Sequence, residues 1–444
     1  MELARTIDVQ SFINSQKLSL SQILIMLLCF LIVAVDGFDT ASIGFIAPAI
    51  KAEWTLTAGQ LAPLFGAGLA GLMIGAFVFG PLADKFGRKT ILMVSVGFFG
   101  VASLASAYSP SLEVLVLLRF LTGLGLGGAM PNSVTLTSEY CPEARRSVLV
   151  TTMFCGFTLG SALGGLAAAH IVAAFGWRSV LFLGGVMPLL LLPLLWLALP
   201  ESVRYLVMKG KRSDDVTRAL QRIAPKENLV SAKFVVADKK QEGFPVRHLF
   251  KEGLLRGTVF LWLTFFMSLL VVYLLSSWLP TLINTTGMSL KDASLVTAMF
   301  QVGGTVGAIL LGQLMDKFNP RHVLALSYAL AGIFIALIGS ATAQPWLLVV
   351  AVFGAGCFLS GSQVGANALA AAFYPTGSRA TGVSWASGVG RIGSVLGSMA
   401  GGAMLSLHWG LPSVFVIVAI PAFVAATGML AMSASRRQPL PVQA

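Results

Sequence analysis

The sequence predicts an all-α membrane protein in which twelve transmembrane helices form two related halves. The composition supports this, because 56% of the 444 residues are hydrophobic, only 11% are charged, and the mean hydropathy is +0.84. A soluble fold has too little interior to bury so much apolar surface. The other two supports are a series of long apolar runs and an internal repeat. A soluble enzyme is thereby excluded.

Apolar runs of about 20 residues, long enough to cross a hydrocarbon layer of ~30 Å, recur along the chain. They are too long and too continuously apolar for the strands of a membrane barrel, which alternate over about 10 residues. We therefore predict twelve helical spans: Gln22–Pro48, Gln60–Leu82, Thr90–Tyr108, Leu112–Ser138, Ser147–Ala173, Val180–Leu199, Leu255–Ile283, Ala293–Leu314, Val323–Ala343, Trp346–Ala372, Gly382–Leu407 and Pro412–Met432.

The positive charge of the chain is distributed according to membrane topology. Of the 30 Lys and Arg residues, 25 fall in the termini and alternate loops on one side. Three lie in the opposite loops (Lys51, Arg178 and Lys291), and Arg119 and Arg391 fall inside spans. The positive-inside rule then places both termini and the long central loop in the cytoplasm. The net charge of +12 therefore indicates orientation in a bacterial-type inner membrane, and no nucleic-acid partner is expected.

The polar stretches divide the chain into five segments. We predict a cytoplasmic N-terminal segment at 1–21, a six-helix bundle at 22–200, a cytoplasmic linker at 201–254, a second six-helix bundle at 255–432 and a cytoplasmic tail at 433–444. The linker is rich in Lys, Arg and Asp, which is typical of a solvated loop.

The two halves share sequence at a nearly constant offset. Gly80-Pro-Leu-Ala-Asp84-Lys-Phe matches Gly312-Gln-Leu-Met-Asp316-Lys-Phe, 232 residues later, after the second span of each half. Gly160-Ser-Ala-Leu-Gly164 matches Gly393-Ser-Val-Leu-Gly397, 233 residues later, in the fifth span of each half. These matches indicate a duplicated six-span unit.

Three motifs of the first half resemble those of the major facilitator superfamily. The segment Gly80-Pro-Leu-Ala-Asp84-Lys-Phe-Gly87-Arg88-Lys89 resembles its signature between spans two and three. Arg119-x-x-x-Gly123-x-x-x-Gly127 resembles its fourth-span motif, and Pro200-Glu201-Ser202-x-Arg204 resembles the end of span six in sugar and organic-anion members. The resemblance implies the major facilitator fold, with two pseudo-symmetric halves and a substrate site near the membrane midplane.

Within the superfamily, Asp36-Gly-Phe-Asp39 and the run 119–140 are similar to the aromatic acid/proton symporters. The opening Asp8-Val-Gln-Ser-Phe-Ile-Asn14 and the stretch 373–391 resemble the 4-hydroxybenzoate/protocatechuate members. The resemblance implies uptake of an aromatic carboxylate with protons, driven by the proton gradient without a cofactor. The second loop signature departs from the family at Asn319-Pro-Arg321, where Gly-Arg is missing. Ser161 stands where exporters usually place proline, which favours uptake.

Four charged residues lie well inside spans: Asp36, Asp39, Arg119 and Arg391. Each would cost about 2.5–3.5 kcal/mol at the centre of an apolar helix. They must therefore face a wet cavity, pair with one another, or be neutral part of the time.

We assign proton coupling to Asp36 and Asp39, which lie three residues apart on one helical face. The alternative is that one of them only caps a group or pairs structurally with an arginine. By the family resemblance, Arg119 is assigned to coupling as well. Arg391 is our candidate for the carboxylate of the substrate, since a guanidinium matches a carboxylate geometrically. Its alternative is a static ion pair with an intramembrane aspartate.

The resemblance also suggests residues for the ring and for gating. Tyr273, Gln301, Gln363 and Trp385 lie in spans that line the cavity in this superfamily, with ordinary packing as the alternative for each. Asp84, Arg88 and Asp316 lie at cytoplasmic turns where the family has a conformational latch, with Glu139 and Arg145 as partners. The alternative there is a solvated loop. The cysteines show no metal-ligand spacing, so no metal is expected, and the chain is expected to act as a monomer in the lipid bilayer.

Rival functions differ in what they require of these residues. A sugar or polyol porter fits Pro200 to Arg204, but a neutral substrate gives no role to Arg391. A drug exporter is disfavoured by Ser161. A membrane enzyme would need a nucleophile or metal constellation that the sequence does not show. A sensor that binds without transport would share the same scaffold.

Overall fold

A computed structural model describes residues 6–210, 213–225, 227, 229, 232–236, 249–250, 254–374, 379–406 and 409–432. Within these residues every predicted span coincides with a long helix, so the predicted fold class is confirmed. In chain order, spans one to twelve are Leu20–Glu53, Ala58–Phe86, Arg88–Ser106, Leu112–Tyr140, Arg146–Phe175, Arg178–Ala198, Leu255–Asn284, Leu290–Lys317, Pro320–Ala341, Pro345–Phe373, Arg379–Ser406 and Leu411–Ala431.

The ends of several spans follow from capping. Span one begins with a capping box, in which the Ser19 hydroxyl accepts the Gln22 N–H and the Gln22 side chain accepts the Ser19 N–H. This satisfies backbone donors that the first turn of a helix leaves unpaired. Spans two and three are separated by one residue, Gly87, whose φ of +102° is a backbone conformation that favours glycine.

Eleven of the twelve helices are long and apolar enough to cross a membrane by length and composition. The helix that does not meet this criterion is span eleven, Arg379–Ser406. It is rich in glycine and serine and contains Arg391, which lowers its mean hydropathy. The least apolar span is therefore the one that carries our candidate substrate residue.

The described residues divide into two compact units, one mainly of spans one to six and the other mainly of spans seven to twelve. In the first unit, span one packs along span five. Gly160 faces the backbone of Ala34 so closely that a Cβ there would lie 1.8 Å from the Ala34 oxygen. Gly37 faces Phe157 in the same way, at 2.1 Å from its oxygen. Small residues let these backbones touch, as is common between membrane helices.

In the second unit, span seven packs along span eleven with the same arrangement. A Cβ at Gly393 would lie 2.3 Å from the Phe266 oxygen, and one at Gly397 would lie 2.0 Å from the Leu270 oxygen. Gly160 and Gly393 are the equivalent glycines of the internal repeat. The repeat therefore preserves the close contact between the first and fifth helices of each six-span unit.

The structure adds short elements to the predicted all-α architecture. Strands β1 (Thr6–Asp8) and β2 (Lys233–Val235) pair in parallel, so the N-terminal segment joins the linker. The further short helices are Val9–Ser15, the 3₁₀ helix Glu143–Arg145, Val203–Met208 and Ser213–Gln221. Three-residue strands carry no periodic pattern that a sequence can reveal.

The N-terminal helix Val9–Ser15 docks on the loop that follows span four. Ile13 is only 1% exposed, the Asn14 side chain accepts the Glu143 N–H at 2.9 Å, and the Gln10 amide donates to the Cys141 carbonyl at 3.5 Å. Cys141 is itself buried, and burial raises the pKa of its thiol to about 11. The N-terminal segment therefore contacts the backbone of the loop at this cysteine.

We predict that Ile13→Asp detaches the N-terminal helix and accelerates maleimide labelling of Cys141 at pH 8 by about tenfold or more, since exposure returns the pKa of the thiol toward its ordinary value and raises the thiolate fraction. Mass spectrometry of the labelled protein reads the rate at this cysteine. The control is Ser11→Asp, which adds the same charge on the exposed face of the same helix. Equal labelling of the two variants would contradict the docking.

Candidate functional site

The centre of the first unit is an ion pair between spans one and four. Arg119 Nη2 donates to Asp39 Oδ2 at 2.7 Å, and Nη1 donates to Oδ1 at 3.1 Å, so the guanidinium binds the carboxylate with both arms. Nη2 also donates to the Asp39 backbone oxygen at 3.2 Å. The side chains are 1% and 3% exposed for Asp39 and Arg119, respectively. Bidentate, charge-assisted bonds of this kind are the strongest that side chains form.

Span three contributes a further donor to this ion pair. The Ser103 hydroxyl donates to Asp39 Oδ1 at 2.6 Å and is fully buried. The sequence analysis did not identify Ser103, because a serine in an apolar run is ordinarily a packing residue. The carboxylate therefore receives donors from two different helices, which fixes its position.

Asp36 lies one turn before Asp39 and is also fully buried. Its Oδ1 accepts the Thr40 hydroxyl at 3.1 Å, within the same helix. The two predicted coupling acids thus have different surroundings, although three residues separate them. Asp39 is paired with an arginine, which is the arrangement that we gave as the alternative to proton coupling.

Arg391 lies in the middle of span eleven and is partly exposed. It takes part in none of the ion pairs formed by the described residues. The static ion pair that we kept as its alternative is therefore not formed in that part of the chain. Gly390 and Gly393 on either side pack against span seven, which holds this part of span eleven close to its neighbour.

The predicted ring-contacting residues differ in their surroundings. Gln301 is 6% exposed, and its amide donates to Ser276 at 3.4 Å. Gln363 is partly exposed, but its Oε1 is buried and accepts no hydrogen bond from any described residue. Tyr273 is partly exposed on span seven. Trp385 is 46% exposed and stacks on Trp262, with ring centroids 5.7 Å apart.

The predicted gating residues of the first unit form a charged network at the turn between spans two and three. Arg88 binds Asp84 at 2.6 Å and approaches Glu139 at 3.9 Å. The Ser202 hydroxyl donates to the other oxygen of Glu139. Arg145, which we expected as a further partner in this network, is instead exposed and forms no ion pair with a described residue. Arg88 approaches Glu139 because it begins span three next to the end of span four.

Glu201 locks the end of span six onto this network. Its carboxylate accepts the Lys89 N–H at 3.0 Å, which caps the start of span three, and its carbonyl accepts the Tyr140 hydroxyl at 2.6 Å. A Cβ at Gly87 would strike the Glu201 carboxylate at 2.2 Å. The sequence identified the segment Pro200 to Arg204 only by a resemblance. The structure shows what two of its residues contact, since Glu201 bonds to Lys89 and Tyr140, and Ser202 bonds to Glu139.

The second unit has no equivalent network among its described residues. Asp316 is exposed and forms no ion pair with a described residue. Asn319 and Pro320 stand where the first unit has the Gly-Arg of the signature, and the following Arg321 donates to the Met432 carbonyl at 2.8 Å. Asn319 caps span nine through the Arg321 N–H. Among the described residues, no group of three or more His, Cys, Asp and Glu could hold a metal ion.

Comparison with known proteins identifies the family. The model of the Major Facilitator Superfamily matches residues 29–293 and 261–443. The chain belongs to the Major Facilitator Superfamily. It is a multi-pass membrane transporter and not an enzyme.

Two relatives match nearly the whole chain. The chain is 48% identical to the 4-hydroxybenzoate transporter PcaK of Pseudomonas aeruginosa, over 96% of this chain and 95% of that protein. It is 46% identical to the gallate transporter of Pseudomonas putida, over 98% of this chain and 97% of that protein. The xylose transporter XylE of E. coli, in its inward open conformation, superposes with a TM-score of 0.72 at 19% identity and covers 94% and 98% of the two chains. At that identity the likeness concerns the fold alone.

We predict that Arg119→Gln destabilises the protein by roughly 3–5 kcal/mol, because it leaves the buried Asp39 carboxylate without its cation. Unfolding by heat in detergent measures this as a lowered midpoint. The double variant Asp39→Asn/Arg119→Gln removes both charges and recovers most of the loss. A double variant as unstable as the single one would show that the ion pair is not what stabilises this contact.

Proposed function

We propose that the chain imports an aromatic carboxylate of the 4-hydroxybenzoate class together with protons, by alternating access of a central site. The observation that supports this most directly is Arg391, an intramembrane cation without an ion-pair partner among the described residues. An uncompensated charge at that depth is expensive and is typical of a binding site. The aromatic acid transporters to which the chain is similar carry anionic substrates.

Arg391 would bind the carboxylate of the substrate with its planar fork. The aromatic ring needs an apolar slot with a few polar contacts, and Tyr273 and Trp385 supply aromatic surface. Gln363 has a buried oxygen that accepts nothing from the described residues, so it suits a donor such as the hydroxyl of a hydroxybenzoate. Gln301 offers its amide in the same unit. A neutral sugar would leave Arg391 without a partner.

Proton coupling would use Asp36, Asp39 and Arg119. Protonation of Asp39 cancels its charge and therefore weakens its bidentate bond to Arg119, which frees span one to move relative to span four. Ser103 would hold the carboxylate in place until then. The proton gradient drives the cycle in this proposal, and no cofactor is involved.

The charged network of Asp84, Arg88 and Glu139 would act as a latch that forms in one state and opens in another. Ser202 and Glu201 tie it to the end of span six. Arg145 and Asp316, exposed in this state, are available as partners in another. We place the protein in a bacterial-type inner membrane with both termini cytoplasmic, since the positive residues concentrate on that side. A monomer suffices for this mechanism.

We predict that cells expressing the protein take up radiolabelled 4-hydroxybenzoate, that a protonophore abolishes the uptake, and that Asp39→Asn abolishes the stimulation by an imposed proton gradient. The physical reason is that a permanently neutral side chain cannot bind and release a proton. Counterflow of the substrate, which needs no net proton movement, should persist in this variant. Uptake that is indifferent to the protonophore would contradict proton coupling.

We predict that Arg391→Lys raises KM for 4-hydroxybenzoate by about tenfold or more, because an ammonium keeps the charge but loses the bidentate fork. Initial rates of uptake over a range of concentrations measure this. Arg218→Ala is the control, since Arg218 is exposed in the linker and pairs with Asp215. No saturable uptake of this or related aromatic acids would refute the substrate class and leave the fold unaffected.

A further inference from the structure

A small cavity lies beside the buried ion pair, between spans one, two and four. Its volume is about 20 Å³, and it is lined by Thr40, Gly68 and Arg119 together with apolar side chains. About 10–15 Å³ of such space is enough for one water molecule, provided that at least two polar groups face it. The cavity therefore has room for a single water.

Arg119 brings an unused donor to this cavity. Its Nη1 and Nη2 atoms are occupied by Asp39, but its Nε–H has no acceptor among the described residues, although the side chain is 97% buried. A buried donor of a charged group is rarely left without an acceptor, because its loss of hydration is costly.

Thr40 brings an unused acceptor. Its hydroxyl hydrogen is directed to Asp36 Oδ1, at 3.1 Å between the oxygens. A hydroxyl that donates one bond still has lone pairs that can accept another. Two residues of the lining thus have an unused donor and an unused acceptor, which a water molecule can join by accepting the first bond and donating the second.

We propose that an ordered water molecule occupies this cavity, accepts the Nε–H of Arg119 and donates to the Thr40 hydroxyl. Thr40 is then a positioning residue that connects Asp36 to the Asp39–Arg119 ion pair. The consequence for transport rests on the proposed proton coupling, whereas the water site itself does not.

The bridge would link the two acids. In this bridge Arg119 donates to the water, the water to Thr40, and Thr40 to Asp36. Each hydrogen bond in such a chain strengthens the next. The other charges at this level are Asp39 and Arg119, since spans two, three, five and six carry charged residues only near their ends. The bridge would therefore couple Asp36 to the ion pair of Asp39 and Arg119.

The first test compares Thr40→Val with Thr40→Ser by uptake as a function of external pH. Valine has the shape of threonine without its hydroxyl, so it removes the hydrogen bond that the Asp36 carboxylate accepts from Thr40. We expect the half-maximal pH of uptake to rise by about 0.5–1 unit in Thr40→Val. It should stay at the value of the unmodified protein in Thr40→Ser. Equal profiles for both variants would overturn the role of the hydroxyl.

The second test fills the cavity without touching either polar group. A Cβ at Gly68 would meet nothing closer than the Arg119 oxygen at 3.6 Å, so Gly68→Ala adds a methyl beside the cavity at ordinary contact distance. We expect the half-maximal pH to rise as in Thr40→Val but by less, because the Thr40 hydroxyl still donates to Asp36. The control is Gly97→Ala in span three, where the added Cβ meets Leu192 at a similar 3.5 Å. A profile of Gly68→Ala that matches this control would overturn the water bridge.

A structure that resolves ordered water molecules tests the site directly. A peak within hydrogen-bond distance of both Arg119 Nε and Thr40 Oγ1 is the expected result, and an empty cavity at that resolution overturns the proposal. The two proposals fail differently. Uptake that does not depend on protons would refute the proposed coupling, and the structural search for the water molecule would then decide the water site. Proton-dependent uptake with unshifted pH profiles in the variants would refute the bridge alone.

Discussion

The ion pair between Asp39 and Arg119 constrains the whole of the first unit. Two charges that are 1% and 3% exposed can remain inside a membrane helix bundle only if they meet at bonding distance and keep their other atoms satisfied. Spans one, three and four must therefore hold one register, because each supplies a group to the same carboxylate. The neighbouring packing has to be dry and tight enough to maintain that register.

The glycines of span four explain how this geometry is reached. Arg119, Gly123 and Gly127 recur every four residues and so lie on one helical face. A Cβ at Gly123 would lie 1.9 Å from the Gly68 oxygen, and one at Gly127 would lie 2.4 Å from the Leu72 oxygen. Span two therefore lies directly on this face. The glycines that follow Arg119 let the backbones of spans two and four come into contact, which leaves only a small cavity beside the arginine.

The sequence predicted the spans well, because an apolar run of membrane length leaves its backbone no alternative to a helix. It also indicated which residues were unusual, since charges inside such runs are expensive. It could not show which charges meet. Asp36 and Asp39 lie one helical turn apart, and which of them meets Arg119 depends on the orientation of span one about its own axis relative to span four. Likewise, Arg88 approaches Glu139 and Arg145 does not. The contact depends on which helix ends lie side by side and not on the distance along the chain. The docking of Ile13 depends on a loop more than a hundred residues away.

The two halves share a backbone arrangement but not the same chemistry. Close contacts between first and fifth helices need glycine in both units, so the repeat is visible there. The charged groups are not repeated, since Asp316 and Arg321 do not reproduce the network of Asp84 and Arg88. The duplicated fold thus supplies packing twice, whereas each half has acquired its own polar groups.

The contrast between the two intramembrane arginines follows from the same constraint. Arg119 is almost fully buried and binds a carboxylate of its own unit, so its charge is compensated by the protein itself. Arg391 is partly exposed and forms no ion pair with a described residue, so its charge must be compensated by water or by a ligand. A planar cation that is hydrated in one state can exchange that water for a carboxylate with little loss of free energy, because the same N–H groups donate hydrogen bonds to either partner. An arginine whose two terminal nitrogens are already bound to a carboxylate of the protein offers no such exchange. The burial of each arginine, more than its depth along the helix, therefore separates the residue that stabilises the bundle from the residue suited to an anionic substrate.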